Sequence, residues 1–129
     1  MKLYHWSTQS DLKVIDPTFH GTGLRGAESK RKEQYPQYWI DRSYFGTNEY
    51  KPEMGLGPYK YVTNIDPKRL LNFSNPPENL AKRAYDDYGV YNPTKLEKIA
   101  KKAGYIGAYN PTVYPIVSLF IPVRVKRIK

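Results

Sequence analysis

Near the start of the chain, KLYHWS alternates with period two. Leu3, His5 and Ser7 fall on one face of an extended segment, and Tyr4 and Trp6 on the other. The polar TQSD ends this strand, and DLKVIDP is a second apolar piece that Pro17 stops. A short helix is expected from Ala27 to about Glu33. QYPQYWIDRSYFGT is aromatic and β-prone, with Tyr44-Phe45 just before Gly46, and KPEMGLGP has the composition of a loop. YKYVTNI alternates again and reads as a strand, and DPKRLLNF as a tight turn into a short helical or extended piece. In NPPENLAKRAYDDYG the paired prolines open a helix that Gly89 closes. NPTKLEKIAKKAG carries the clearest helical period: Leu96, Ile99, Ala100 and Ala103 recur at i, i+3, i+4 and i+7, with Pro93 near the start and Gly104 as the stop. YIGAY and YPIVSLFIPVRVKRI supply closing strands dense enough in apolar residues for a central position, with Pro115 and Pro122 limiting where they pair. The order strand, loop, strands, helices, strands predicts an α+β fold, with residues 1–129 as one domain.

Composition narrows the chemistry. Cysteine is absent, which removes disulfides and thiolate metal sites, and the two histidines, His5 and His20, make a weak metal set. No run approaches the ~18 apolar residues of a membrane span, and MKLYHWST lacks the apolar core of a signal peptide. A soluble protein working in the cytoplasm where it is made is expected. Thirteen tyrosines point to an amphipathic, half-exposed core. The net charge of +9 favours anionic partners such as nucleic acid, nucleotide phosphates or an acidic protein face, although surface lysine also serves solubility alone.

FHGTGLRGAESKRK contains Gly21, Gly23 and Gly26 in G-x-G-x-x-G spacing, but Asp16 to His20 separate it from the preceding strand, so the Rossmann context is missing. The loop still has anion-binding capability. Gly21, Thr22 and Gly23 offer backbone N–H groups, and Arg25 a bidentate donor. A surface turn needing positive φ explains the glycines equally well.

YHWS at the N-terminus, YFG in the middle and AGYIGAY before a late strand together resemble the ADP-ribosyltransferase superfamily, in the branch with a His–Tyr–acid triad. GTGLRGAE and PEMGLG are similar to small domains of phage and mobile elements. The resemblance implies a split antiparallel sheet with a few short helices, NAD⁺ as substrate, a protein or nucleic-acid target and a bacterial host. His5 would bond the adenosine ribose, Ser7 would help position the nicotinamide ribose, and Tyr44 would stack on nicotinamide with Tyr50 on the ring's other face. The acid expected at the start of the late strand is missing: no Asp or Glu follows Glu97. Glu28 is the first replacement and Glu53 the second, while an ordinary helix N-terminal glutamate is the alternative account of Glu28. Two function classes follow. One is an NAD⁺-dependent transferase using His5, Tyr44 and Glu28. The other is a non-catalytic binder of a nucleotide, nucleic acid or host protein on a degenerate transferase fold. A phosphate-releasing RNA phosphotransferase is a third possibility, for which Arg25, Arg31 and Arg42 are the arginines near the loops.

Overall fold

The computed structural model describes residues 1–20, 32–48, 57–110 and 116–128. The glycine loop, with Gly21, Thr22, Gly23, Arg25 and Glu28, lies outside the described residues, as do Tyr50 and Glu53.

The molecule is mixed α/β, built on a mostly antiparallel seven-stranded sheet with a few short helices. The strands are β1 (Lys2–Ser7), β3 (Ser43–Gly46), β4 (Tyr59–Asn64), β5 (Leu70–Asn72), β6 (Gly107–Tyr109), β7 (Ile116–Leu119) and β9 (Lys126–Ile128), in spatial order β5-β6-β7-β3-β1-β4-β9. A separate ribbon pairs β2 (Val14–Ile15) with β8 (Val123–Arg124). The helices are α1 (Pro17–His20), α2 (Glu78–Ala81) and α3 (Pro93–Lys102); Lys32 to Gln34 are also helical. Among the described strands only β5 and β6 run parallel, and the crossover between them carries α2 and α3, as a parallel pair requires.

Most elements follow from local signals. In α3, Asn92 caps the start by accepting from the Thr94 and Lys95 amides at 3.0 and 3.3 Å, Pro93 takes the first turn, and Gly104 follows the last turn with φ +101°. The turn in DPKRLLNF is a 3-10 segment, Pro67–Arg69, capped by Asp66 and running straight into β5. Pro17 departs from expectation by starting α1; the Asp16 carboxylate accepts from the Thr18 amide there. The helix of NPPENLAKRAYDDYG also ends early, at a 3-10 turn over Lys82–Ala84. Asp86 is the reason: its Oδ1 accepts from the Tyr88 and Val90 amides at 2.9 Å, which draws the backbone into a turn with Gly89 at φ +74°.

Two apolar layers cover the sheet. On one face, Leu96, Ile99 and Ala100 of α3 pack on Leu71 and Ala108, with Ile40, Leu80 and Phe120. On the other, Leu3, Phe45, Leu70, Val117 and Leu119 meet Ile15 and Ile106, with Leu12 and Val123 at the margin. Burying each Leu, Ile, Val or Phe among these contributes about 1.5–3 kcal/mol. Ala103, expected in the core of α3, is exposed, and Glu97 is buried instead. Among the described residues no helix is long and apolar enough to cross a membrane.

Candidate functional site

β1 is paired along its whole length with β4, from Lys2 opposite Asn64 to Ser7 opposite Tyr59. Its other neighbour behaves differently: β1 and β3 register at one pair, Tyr4 opposite Gly46. Beyond that pair His5 replaces the ladder. Its Nδ1 lies 2.7 Å from the Tyr44 carbonyl oxygen, so a side chain satisfies a backbone acceptor where the two strands part. A carbonyl only accepts, so Nδ1 carries the proton, and in the neutral ring Nε2 is then an acceptor.

Side-chain alternation fixes what shares a face with His5. Leu3, Ser7, Ser43 and Phe45 are on its side, with Tyr61 directly opposite it on β4. The His5 ring is 6% exposed and sits 5.2 Å from the Phe45 ring, tilted at 48°. Tyr61 is fully buried, donates to the Gln9 carbonyl and accepts from the Leu12 amide at 3.1 Å, pinning the segment after β1 over this face. Arg127 adds a second tie, donating to the Ser10 carbonyl at 2.6 Å while its guanidinium lies 5.2 Å from the Tyr59 ring. Ser7 is half-buried and its Oγ accepts from the Gln9 amide at 3.1 Å. Ser43, which the sequence reading passed over, is fully buried, and its hydroxyl has no hydrogen-bond partner. His5, Ser7 and Ser43 therefore form a polar seam in an otherwise apolar layer, at the gap between β1 and β3. The sequence signal for Ser43 was a hydroxyl at a core-facing position of the SYFG alternation.

Gly57 closes one end of the seam. With φ +112°, it lies so near the end of β1 that a Cβ there would meet the Ser7 carbonyl and the Thr8 amide nitrogen at 2.5 Å. Only glycine fits that approach.

Tyr44 does not join the seam. It is opposite Ser118 on β7, and its side chain points to the other face, the one on which α3 packs. His5 and Tyr44 are thus neighbours through the backbone and separated by the sheet. On the His5 face, β7 contributes Val117 and Leu119, both fully buried and apolar.

The two charged groups of the core are committed elsewhere. The Arg42 guanidinium donates to the Glu97 carboxylate, and both residues are 3% exposed. Arg42 also donates to the Ile40 carbonyl at 3.4 and 3.2 Å and lies 4.3 Å from the Trp39 ring centroid. So the last carboxylate of the chain holds α3 against the entry to β3, and Arg42 is occupied by it rather than facing an open phosphate site. Among the described residues no group of three or more His, Asp or Glu side chains gathers to hold a metal ion. The chain matches no family model, no curated protein sequence and no solved structure.

Proposed function

We propose that the chain is an ADP-ribosyltransferase-like protein that takes NAD⁺ at the seam formed by His5 and Ser7. The observation that carries this reading is the contiguity of β7, β3 and β1, with His5 at the point where β3 and β1 part. The resemblance calls for a His-bearing first strand, a Tyr-bearing strand and a late strand around a split sheet. The bond from Nδ1–H to the Tyr44 carbonyl fixes the orientation of the His5 ring in the seam. In the transfer, the bond between nicotinamide and the ribose carbon breaks and nicotinamide leaves neutral with the electron pair. The acceptor's lone pair then forms the new bond and its proton is released. A carboxylate stabilising the oxocarbenium-like sugar is worth ~10²–10⁴-fold, and Glu28 is the residue assigned to that role.

The second reading, a nucleotide binder without turnover, is favoured by one specific observation: the His5 face of β7 offers only Val117 and Leu119. One experiment tests both. Purified protein is mixed with NAD⁺ and followed by proton NMR for nicotinamide release and for line broadening, beside His5→Ala and Glu28→Gln. Release that falls in both variants supports the transferase. Broadening lost in His5→Ala, with no release, supports the binder. Neither signal in the parent protein rejects NAD⁺ as the ligand.

A further inference from the structure

The turn between α2 and α3 carries an exposed aromatic cluster. Four of the seven large apolar side chains left exposed among the described residues, Tyr85, Tyr88, Val90 and Tyr91, fall within it. Tyr88 is 91% exposed and so contributes nothing to the core. The turn is nevertheless tightly held. The Asp86 amide donates to the Val90 carbonyl at 2.8 Å, Tyr85 bridges to Tyr91, and the rings of those two tyrosines meet edge to face at 5.8 Å. At its base the Lys95 ammonium donates to the Tyr85 carbonyl and the Asn92 amide to the Ala84 carbonyl, both at 2.8 Å. Exposed tyrosines on a preorganised backbone lose little freedom on binding, which suits a knob that docks on another protein. Its charge is distinctive too: Asp86 and Asp87 are the only charged residues between Ala84 and Thr94, in a chain of net charge +9.

The complement of this knob is on the same molecule, at its other end. Among the described residues, Lys2, Arg124 and Lys126 line an open depression of about 470 Å³ together with the apolar Val62, Val125 and Ile128, and no carboxylate. No ion pair holds any of the three cations among the described residues. Charge and apolar surface both match the knob. The α3 layer packs on Leu71 of β5 and Ala108 of β6, at one edge of the sheet. The depression is at β9, the opposite edge, about 30 Å away across the strands. A knob therefore cannot reach the depression of its own chain.

We propose that the Tyr88 turn of one copy docks in the Lys2, Arg124 and Lys126 depression of a second copy, with the Tyr88 ring on the apolar lining and Asp87 facing the cations. The contact is head to tail: each copy of a pair keeps one free patch, so the assembly extends or closes into a ring. One turn in one shallow depression is a small interface, and the association is accordingly weak and transient. Repulsion between two chains of net charge +9 acts at long range and is screened beyond about 8 Å at physiological salt, whereas the close contact of Asp87 with its cations is screened less. This inference is independent of the NAD⁺ reading, because the His5 side chain is on the opposite face of β1 from Lys2.

The test is sedimentation velocity of the full chain from about 10 µM to about 1 mM, in about 150 mM salt. The average mass of the parent should rise above the 15.0 kDa of one chain as concentration rises. Tyr88→Ser should weaken association at least about tenfold, and Lys2→Glu with Lys126→Glu should do the same. Mixing the two variants is the sharper measurement. The first retains the depression and the second retains the knob, so an equimolar mixture should recover association but stop at the mass of a pair. If the parent associates and the mixture is no heavier than its separate components, the two patches do not meet and the proposal is overturned. A parent that stays at the mass of one chain at the highest concentration overturns it too, and leaves the knob to a different protein. Lys101→Glu with Lys102→Glu, on the exposed side of α3, makes the same change in net charge and should associate as the parent does. An equal loss there would assign the effect to overall charge and reject the docking. Every substituted residue is exposed, and unchanged melting temperatures separate lost association from lost folding.

Discussion

Removing one member of the Arg42–Glu97 pair should be among the most damaging single changes in the described core. Each side chain is 3% exposed, so neither charge has water to fall back on. Glu97→Ala strands a guanidinium that keeps only the Ile40 carbonyl and the Trp39 ring face. Breaking a buried pair from one side costs about 3–5 kcal/mol, a fifth or more of a typical domain's total stability of about 5–15 kcal/mol. In urea, with a slope of about 2 kcal/mol/M, the midpoint should fall by about 2 M. Arg42→Met should also destabilise, since it removes the cation that faces a carboxylate only 3% exposed. The double variant Arg42→Met with Glu97→Leu removes both desolvation costs and should return to near the parent stability, or exceed it. Equilibrium urea melts of the four proteins at neutral pH make the cycle. If either single variant stays within about 1 kcal/mol of the parent, the pair is solvated and the argument fails. A double variant that loses the sum of the two singles refutes it as well.

Other consequences can be checked with equal directness. Gly57→Ala combines a strained φ of +112° with a 2.5 Å approach to the β1 backbone; it should destabilise by about 2–5 kcal/mol and disturb Ser7 first, and a melting temperature equal to the parent's would refute this. Tyr61→Phe removes the hydroxyl from the Gln9 carbonyl and the Leu12 amide; a loss of about 1–3 kcal/mol with faster amide exchange at Leu12 is expected, and unchanged exchange would show that the segment is held by other contacts. The Tyr91 hydroxyl ionises above its ordinary value of 10.0, through burial first and then the charges of Tyr85 and Glu97. The folded chain therefore keeps this proton where the unfolded chain has lost it, so the contribution is intact below that value and is lost as pH rises through the folded value. Thermal melts of Tyr91→Phe should decline less steeply than the parent's at alkaline pH, and parallel declines would contradict the assignment.

Much of the fold was legible in local pattern. The period-two runs KLYHWS and YKYVTN became β1 and β4, and Asp66 and Asn92 stand where turn and helix begin. What escaped depends on partners distant in the chain. Glu97 is on the buried side of α3, between Thr94 and Ala100, but a count of apolar spacings passes over a carboxylate unless Arg42 is known to face it. SYFG shows that Ser43 and Phe45 share a side and Tyr44 takes the other. Which side meets His5 is set by the pairing of Tyr4 with Gly46, which no local rule supplies. The early end of the second helical run was within reach, since DDYG contains the Asp86 turn that competes with the helix.

The order of strands also bears on how quickly this chain reaches its native state. Tyr44 finds Ser118, Val14 finds Arg124, and Leu70 pairs in parallel with Gly107 only after the crossover has closed. Almost every ladder therefore joins segments far apart in sequence, and the entropy of closing those loops is spent before the contacts reward it. Refolding should fall in the millisecond-to-second range of non-local sheets rather than the microseconds of helical bundles. Until β3 and β4 close against it, the aromatic strand KLYHWS remains open to other chains, so the yield of refolding should fall as protein concentration rises.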